Sequence, residues 1–129
     1  MDIKFKMDIK AKLILLNCKT FFSDQRNSDI LVEILEHKKT GISLRSIEKF
    51  VTKFAKSGTS YVKTKDGKIF HIHTEYKSSL SGFSKKYFDP FCRSERITFS
   101  ISDKKNFETT IGQLNFLRWV IKNGIIDMM

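Results

Sequence analysis

The sequence has few cysteines, one proline and no long apolar run, so it lacks the features that stabilise secreted domains or span membranes. It contains one proline and two cysteines among 129 residues. Cys18 and Cys92 are too far apart for a metal-ligand pair and too few for a disulfide framework, which predicts a reducing compartment. The apolar run at residues 13–16 is far shorter than the roughly 20 residues that cross a bilayer, and no small-residue cleavage site follows it. We therefore expect a soluble, intracellular protein that is not secreted and has no membrane partner.

Motifs of the common catalytic sites are also missing. The chain has no glycine-rich phosphate loop, no dinucleotide-binding fingerprint, no nucleophile elbow and no pair of carboxylates on one predicted face. His71 and His73 share a face of a predicted strand, but two ligands are only half of a structural zinc site. These absences predict a non-catalytic protein without a cofactor or a bound metal.

The sequence contains one weak signal for an enzyme. Asp66, followed by Glu75 and Lys77, resembles the acid and the Glu-x-Lys pair that hold divalent ions in one large nuclease superfamily. In that superfamily the acid lies on a strand beside the Glu-x-Lys strand, whereas Asp66 is better explained as a turn residue. A metal-dependent nuclease is therefore the third hypothesis.

Positive charge is abundant and unevenly placed. The net charge is +10, and residues 37–96 hold 14 Lys and Arg against 5 Asp and Glu. The other 69 residues hold 10 against 9. Such a basic block is typical of a surface that faces phosphates, because each cation near a phosphate releases a condensed counterion. A charged surface that serves only solubility is the plainer alternative.

The apolar content is sufficient for one folded domain. The chain is 40% hydrophobic with 12 Phe, and its 129 residues match the length of a single domain. Apolar and polar residues alternate over 2–8, which predicts a strand, while residues 9–16 fit a strand or a helix. We divide the chain into an N-terminal extension or strand at 1–22 and a single α+β domain at 23–129.

Two helices are predicted at the start of that domain. Ser28 is a suitable N-cap for a helix that ends by Lys39. Ser43 can cap a second helix through residue 56, because its apolar positions follow the helical period. At about 100° per residue, the cations of this helix form a stripe opposite its apolar face. They are Arg45, Lys49, Lys53 and Lys56.

A hairpin is predicted after the second helix. Residues 59–65 and 68–76 alternate, and Asp66-Gly67 between them is a strong signal for a two-residue type I′ turn. Helix, short turn, basic helix and hairpin is the order of a winged helix-turn-helix, whose second helix lies in the major groove. The sequence therefore predicts a winged-helix-like core at about residues 28–76.

Residues 77–96 are rich in rings and cations. This mixture suits single-stranded nucleic acid, whose bases stack on rings. We favour the alternative that the rings fill the core from a loop, because large apolar side chains are seldom left in water. The rings are Phe83, Tyr87, Phe88 and Phe91, and the cations are Lys85, Lys86, Arg93 and Arg96.

A strand and a helix complete the predicted fold. Asp89-Pro90 marks a turn, and residues 97–102 alternate as a strand does. Thr110 and Gln113 form a capping box for a C-terminal helix that closes at Gly124. The fold class is thus α+β, with a helix-turn-helix-like pair, a hairpin wing, a further strand and a C-terminal helix.

Two phrases of the sequence are distinctive. They are Lys-Lys-Tyr-Phe-Asp-Pro-Phe-Cys-Arg at 85–93 and Thr-Thr-Ile-Gly-Gln-Leu-Asn-Phe at 109–116. With them, residues 44–126 resemble a family of small basic proteins of nucleocytoplasmic large DNA viruses, of the mimivirus and iridovirus kind. The resemblance implies a viral origin and a location in the host cytoplasm, the viral factory or the virion. It carries over no catalytic residue.

The leading hypothesis is non-catalytic nucleic-acid binding through phosphate contacts, with DNA favoured over RNA. The second is a small virion or assembly protein whose basic face binds an acidic protein, with Phe116 and Trp119 at the contact because both lie off the main stripe of the C-terminal helix. The residues expected at phosphates are Arg45, Lys49, Lys53, Lys56, Lys63, Lys65, Lys68, Lys85, Lys86 and Arg93.

Overall fold

The computed structural model describes residues 8–36, 42–54, 61–63, 67–102 and 105–129. The helices of this part are α1 (Ile9–Phe21), α2 (Gln25–Leu35), α3 (Leu44–Lys49), α4 (Ile72–Phe83), α5 (Lys85–Phe88) and α6 (Ile111–Lys122). The strands are β1 (Tyr61–Lys63), β2 (Ile69–His71), β3 (Arg96–Ser102) and β4 (Lys105–Thr110), which form two antiparallel pairs. A π turn (Phe50–Phe54) extends α3, and a 3-10 turn (Ile126–Met128) lies near the C-terminus. The α+β class and the single small domain are confirmed.

Helix α6 is the centre of the core, where it packs against α1 and α5. Leu114, Leu117 and Val120 on this helix are fully buried. The predicted N-cap is confirmed, since the Thr110 hydroxyl accepts a hydrogen bond from the Gln113 amide at 3.1 Å. The predicted end is confirmed as well, by a positive φ of 73° at Gly124.

Helices α5 and α6 approach each other at backbone distance. A Cβ atom on Gly112 would lie 2.9 Å from the carbonyl oxygen of Asp89 and 3.0 Å from that of Lys86. The buried side-chain amide of Asn115 donates to the Tyr87 carbonyl oxygen at 2.9 Å. Glycine is required at 112 because no side chain fits between these two backbones.

Residues 9–16, which the pattern left open between strand and helix, are helical. Helix α1 begins at Asp8, whose carboxylate accepts from the Ala11 amide at 2.7 Å. The Tyr87 hydroxyl donates to the same carboxylate at 2.9 Å. Residues 1–7, which hold most of the predicted strand, lie outside the described residues. The domain boundary drawn at residue 22 stays a prediction.

The prediction of Ser28 as the N-cap of the next helix was wrong. Helix α2 starts earlier, at Asp24, whose carboxylate accepts from the Arg26 and Asn27 amides at 3.0 and 3.2 Å. Ser28 is buried within the helix, and its hydroxyl donates to the Gln25 carbonyl oxygen. Asp24 prevails because a charged acceptor at the positive end of the helix dipole gains more than a hydroxyl does.

Helix α3 begins as predicted and then changes its geometry. The Ser43 hydroxyl accepts from the Ser46 amide, and the Ser46 hydroxyl accepts from the Ser43 amide. The α-helix ends at Lys49 and widens into the π turn, where the Thr52 hydroxyl donates to the Glu48 carbonyl oxygen at 2.8 Å. Such i−4 contacts bend helices. The prediction of an α-helix through residue 56 was therefore wrong for Phe50–Phe54, and residues 55 and 56 lie outside the described residues.

The predicted hairpin is present, but its turn differs from the prediction. Lys63 pairs with Ile69, so residues 64–68 connect the strands. A two-residue turn at Asp66-Gly67 would instead place Lys63 opposite Phe70. Asp66 lies outside the described residues, and Gly67 has a φ of +84°.

The second predicted strand of this hairpin stops at His71, where α4 begins. Ile72 and Tyr76 are buried in the core, and Leu80 and Phe83 pack against it. These four apolar residues recur at helical spacing, and this longer pattern overrides the short alternation around His71. The predicted loop at 77–96 is accordingly helix over much of its length. Ser84, with a φ of +79°, separates α4 from α5.

Strand β3 confirms the prediction for residues 97–102, and its partner β4 was not predicted. Phe99 faces Phe107 in this second hairpin, and Phe99 is buried. Lys105, Asn106 and Glu108 make the second strand polar, so its sequence carries a weak β signal. The helix and hairpin order does not establish a winged helix, which stays a prediction.

Candidate nucleic-acid interface

Three of the predicted phosphate-binding residues are exposed on one segment. Arg45 and Lys49 lie on α3 and Lys53 on the π turn, while Ile47 and Val51 of the same segment are buried. A π turn rotates less per residue than an α-helix, so the angular stripe derived for a regular helix applies only as far as Lys49. Lys56 lies outside the described residues.

The hairpin carries three further predicted lysines. Lys63 is on β1, and Lys68 is exposed just before β2. Lys65 lies outside the described residues. The hairpin therefore contributes one lysine whose side chain the structure describes, and the role of a wing stays a prediction.

Arg45 joins α3 to the turn after α5. Its guanidinium carbon lies 3.7 Å from the centre of the Phe91 ring, a stacking distance for a cation over an aromatic face. Glu48, one turn later on α3, is 3.9 Å from the Arg45 guanidinium. The ring and this carboxylate hold the head of Arg45 in place while the side chain stays exposed.

Arg93, another predicted residue, lines an open cleft beside this stack. The cleft has a volume of about 280 Å³. Arg96 lies in the same wall, and its guanidinium donates to the Glu108 carbonyl oxygen at 3.1 Å. The lining residues are Pro90, Phe91, Cys92, Arg93, Ser94, Arg96, Thr110 and Gln113. Thr110 and Gln113 belong to the start of α6, which is the positive end of its dipole.

We call Arg45, Lys49, Lys53, Arg93 and Arg96 the basic rim. Arg93 and Arg96 reach it through the turn at residues 89–92, in which the Cys92 amide donates to the Asp89 carbonyl oxygen. The predicted Asp89-Pro90 turn is thereby confirmed. Sequence reasoning saw Arg96 as part of a mixed stretch but did not assign it to the site, and it missed the pairing of Arg45 with Phe91.

The predicted residues Lys85 and Lys86 belong to a different group. The ammonium of Lys86 lies 5.4 Å from the centre of the Tyr87 ring, and that of Lys10 lies 5.8 Å from it. The hydrogen bonds from the Ala11 amide and the Tyr87 hydroxyl, in that order, lower the pKa of Asp8, and Lys86 adds to this effect. Lys86 and Lys10 thus lie beside the start of α1, whereas Lys85 is exposed on α5.

Most of the rings in residues 77–96 fill the core, as favoured. Tyr87 and Phe88 are buried, and Phe83 stacks on Phe88 with 5.7 Å between ring centres. Only Phe91 among the four is exposed, at 38%. A platform of stacked bases along this stretch is therefore reduced to one ring, which Arg45 already covers on one face.

The prediction of Phe116 as a partner contact was wrong. Its side chain is fully buried, because it packs edge-on against Phe88 in the core. Trp119 is partly buried in the same aromatic cluster, with 6.2 Å between its ring centre and that of Phe116. A contact through Trp119 stays a prediction.

The residues of the weaker metal hypotheses are not arranged as expected. His71 is the last residue of β2 and His73 lies inside α4, so they do not share a strand face. Glu75 and Lys77 are also on α4, and the strand on which the nuclease hypothesis depended is a helix. Asp66 lies outside the described residues. Within the described part of the chain, no three His, Cys, Asp or Glu side chains group as metal ligands do.

The fold and the basic rim define a small α+β domain with a cationic surface. The chain belongs to the family described as "Family of unknown function (DUF7197)", whose model matches residues 1–129. It is similar to "Uncharacterized protein L507" of Acanthamoeba polyphaga mimivirus, with 40% identity over 129 residues that cover 94% of this chain and 50% of the relative. The chain thus spans about half the length of that relative.

The viral resemblance is confirmed by this relative, and the extension to iridovirus-like proteins stays a prediction. No solved structure matches the chain. Across the described residues, every helix is too short or too polar to cross a membrane.

Proposed function

We propose that this protein binds nucleic acid without catalysis, through phosphate contacts made by the basic rim. The observation that carries the proposal is the stack of Arg45 on Phe91, which joins Arg45 of α3 to the cleft that Arg93 and Arg96 line. An arginine already held by a ring loses less side-chain entropy when it binds a phosphate. Arginine also presents a fork of donors that fits phosphate oxygens.

The chemistry of the rim favours phosphate over base recognition. Lysines such as Lys49 and Lys53 act as mobile point charges that position a backbone, and Arg45 alone stands near the start of its helix, where a bidentate contact to guanine is possible. Five neutralised phosphates predict a slope of log K against log salt of about −4.5 on duplex DNA. Duplex DNA is the favoured ligand, and the hairpin lysines 63, 65 and 68 are proposed as a wing on the neighbouring backbone.

Nucleic acid of the virus is present in the viral factory and in the virion. We propose that the protein is located there or elsewhere in the host cytoplasm. An acidic protein partner for the same rim is the alternative. Each acidic side chain offers one carboxylate, whereas a duplex offers a regular row of phosphates, so the two ligands differ in salt dependence.

Fluorescence-anisotropy titrations with duplex DNA, single-stranded DNA and RNA across a salt series test the proposal. The variant Lys49→Glu with Lys53→Glu is expected to weaken duplex binding about a hundredfold at low salt. The matched control is Lys12→Glu with Lys19→Glu, which makes the same charge change at two exposed positions of α1. The control should bind nearly as the unchanged protein does. Equal loss in both variants, or a salt slope shallower than about −2, contradicts the rim.

A further inference from the structure

Helix α1 is apolar on two opposite faces. Ala11, Ile14 and Cys18 are buried against the core. Ile9, Leu13 and Leu16 are 77%, 57% and 59% exposed, and within the described residues no other helix exposes three large apolar side chains. The inner face explains why the helix packs on α6, but the outer three residues make no contribution to that packing.

The outer residues have the spacing of a coiled-coil seam. From Ile9 the positions advance by four, three and four residues to Leu13, Leu16 and Thr20. At about 100° per residue the three apolar ones fall within a stripe about 60° wide, on the side away from Ala11 and Cys18. A narrow stripe of this kind matches the a and d positions of a heptad and not the wider face of a core helix.

Lysines border the stripe on both sides. In the heptad with Ile9 and Leu16 at d, the g positions are Lys12 and Lys19 and one e position is Lys10. Helix α1 contains no acidic residue. Residues at e and g decide which helix can pair with such a seam, because they face the e and g residues of the partner.

We propose that the outer face of α1 is a docking surface for an acidic helix of a partner protein, with apolar residues at a and d and Glu or Asp at e and g. The seam Ile9, Leu13 and Leu16 would pack knobs into holes with that helix. Lys12 and Lys19 would pair with its carboxylates. This surface is separate from the basic rim, so the proposal stands whether or not the rim binds nucleic acid.

The charges disfavour a second copy of α1 as the occupant. Antiparallel pairing would set Lys12 and Lys19 of one copy against those of the other, and parallel pairing would set Lys12 against Asn17, which supplies no carboxylate. Like charges at these positions destabilise a pair. Three apolar side chains are a small area for binding a lipid surface. They are enough for about one and a half heptads of contact with a protein helix, so a helix is the favoured occupant.

The surface is preorganised. The start of α1 is held by the hydrogen bond from the Tyr87 hydroxyl to Asp8, and the ammonium of Lys10 donates to the Gly82 carbonyl oxygen at 3.1 Å. The buried inner face fixes the rotation of the helix about its axis. A partner therefore meets a formed helix and need not order it first.

Two designed peptides of about 21 residues serve as probes, both with leucine at a and d. One carries Glu at every e and g position and the other carries Lys, so that neither pairs with itself. In fluorescence anisotropy at about 50 mM salt, the Glu peptide is expected to bind at least about tenfold more tightly than the Lys peptide. Equal binding of the two peptides would overturn the proposal.

Three variants separate the seam from general attraction to a basic protein. Leu13→Ser with Leu16→Ser keeps every charge and should lower the affinity for the Glu peptide at least about tenfold, with an unchanged melting temperature because both side chains are exposed. Lys12→Glu with Lys19→Glu should transfer the preference to the Lys peptide. Lys49→Glu with Lys53→Glu should leave peptide binding unchanged. Retained binding by the serine variant contradicts a seam.

The other occupants give different results. Sedimentation that finds a dimer of the unchanged protein, and a monomer of the serine variant, assigns the seam to a second copy and overturns the acidic partner. Binding to phosphatidylserine vesicles that the serine variant loses, without peptide discrimination, assigns it to lipid and overturns the proposal as well.

Discussion

Helix α1 and the segment of α3 with its π turn each expose three cations, and they present different surfaces. Lys10, Lys12 and Lys19 are exposed on α1, and Arg45, Lys49 and Lys53 are exposed on α3 and its π turn. On α1 the space between the lysines is filled by exposed leucine and isoleucine. On α3 the apolar residues face the core, and the outward-facing Arg45 stacks on the ring of Phe91. A surface with cations around an apolar seam can bind a partner helix. A surface with cations and no apolar seam is better matched to a phosphate backbone.

The short helix α5 connects these two surfaces. Its Tyr87 reaches Asp8 at the start of α1, and the turn that follows carries Phe91 to Arg45. Gly112 of α6 lies against the backbone of the same segment. The two surfaces are therefore mechanically joined through α5, and we expect some variants to act on one of them and others on both.

The two cysteines report on the two regions separately. Burial raises the pKa of Cys18, on the inner face of α1, to about 11 against the lowering effect of Arg118. At pH 8 its thiolate fraction is then about one in a thousand, and only the thiolate attacks a disulfide reagent. We expect one fast thiol per folded chain, Cys92 in the cleft, which reacts at least a hundredfold faster than Cys18, and two after denaturation.

The same labelling experiment sharpens the comparison when a ligand is added. Duplex DNA should slow the reaction of Cys92, which lines the cleft of the basic rim. The acidic peptide should leave that rate unchanged. Protection of Cys92 by the peptide instead would mean that the two surfaces are not independent.

Gly112→Ala should damage both surfaces together. The added Cβ meets two carbonyl oxygens at 3.0 Å or less, so α5 must move away from α6. Overpacking of this kind costs about 2 kcal/mol of unfolding free energy, which urea unfolding measures directly. We expect weaker binding of both DNA and the acidic peptide. A loss confined to one ligand would show that α5 does not join the surfaces.

Phe91→Leu should act on the basic rim alone. Leucine keeps much of the apolar contact but has no ring face for the Arg45 guanidinium, a contact of about 0.5–1 kcal/mol at an exposed site. Duplex binding should fall about threefold, with little change in melting temperature because Phe91 is partly exposed. Phe91→Tyr, which restores a ring, is the control and should bind as the unchanged protein does.

The smallest effect is expected from protonation of Asp8, at the start of α1. Hydrogen bonds from Ala11 and Tyr87 lower the pKa of this carboxyl from its ordinary 3.8. Its contribution to stability is therefore fully present above pH 3.8 and is lost as the pH falls through the lower folded-state pKa. Asp8→Asn should remove part of the loss of stability between pH 5 and about pH 2.5. Urea unfolding at the two pH values measures it, and an identical pH dependence in both proteins would contradict the assignment.

Local signals of the sequence were sufficient where a cap and a helical period agree. Ser43 and Thr110 both cap the helices expected of them. The alternation at residues 97–102 also identified a strand, because Phe99 is buried and Ile97 and Ile101 on the same face pack against the core. In these segments nothing from elsewhere in the chain competes with the local preference.

Elsewhere, distant packing decided the outcome. Helix α1 was ambiguous because apolar residues on both of its faces blur the period of 3.6 residues, and only contact with α6 shows which face is inward. Residues 72–76 alternate locally but are helical, since Ile72 and Tyr76 enter the core together. In the candidate site, Arg45 and Phe91 are far apart in sequence, and no spacing rule relates them.

The π turn after α3 also changes how many residues the chain uses to complete a helical turn. A π turn holds one more residue than an α turn, so it is equivalent to a one-residue insertion accommodated within a helix. Deleting one residue from Phe50–Phe54 should restore a regular α-helix. The residues after the deletion would then take different angular positions about the helix axis. The position of Lys53 on the basic rim therefore depends on the number of residues in this turn as much as on their chemistry, and family members that differ in length here are expected to differ in where their cations point.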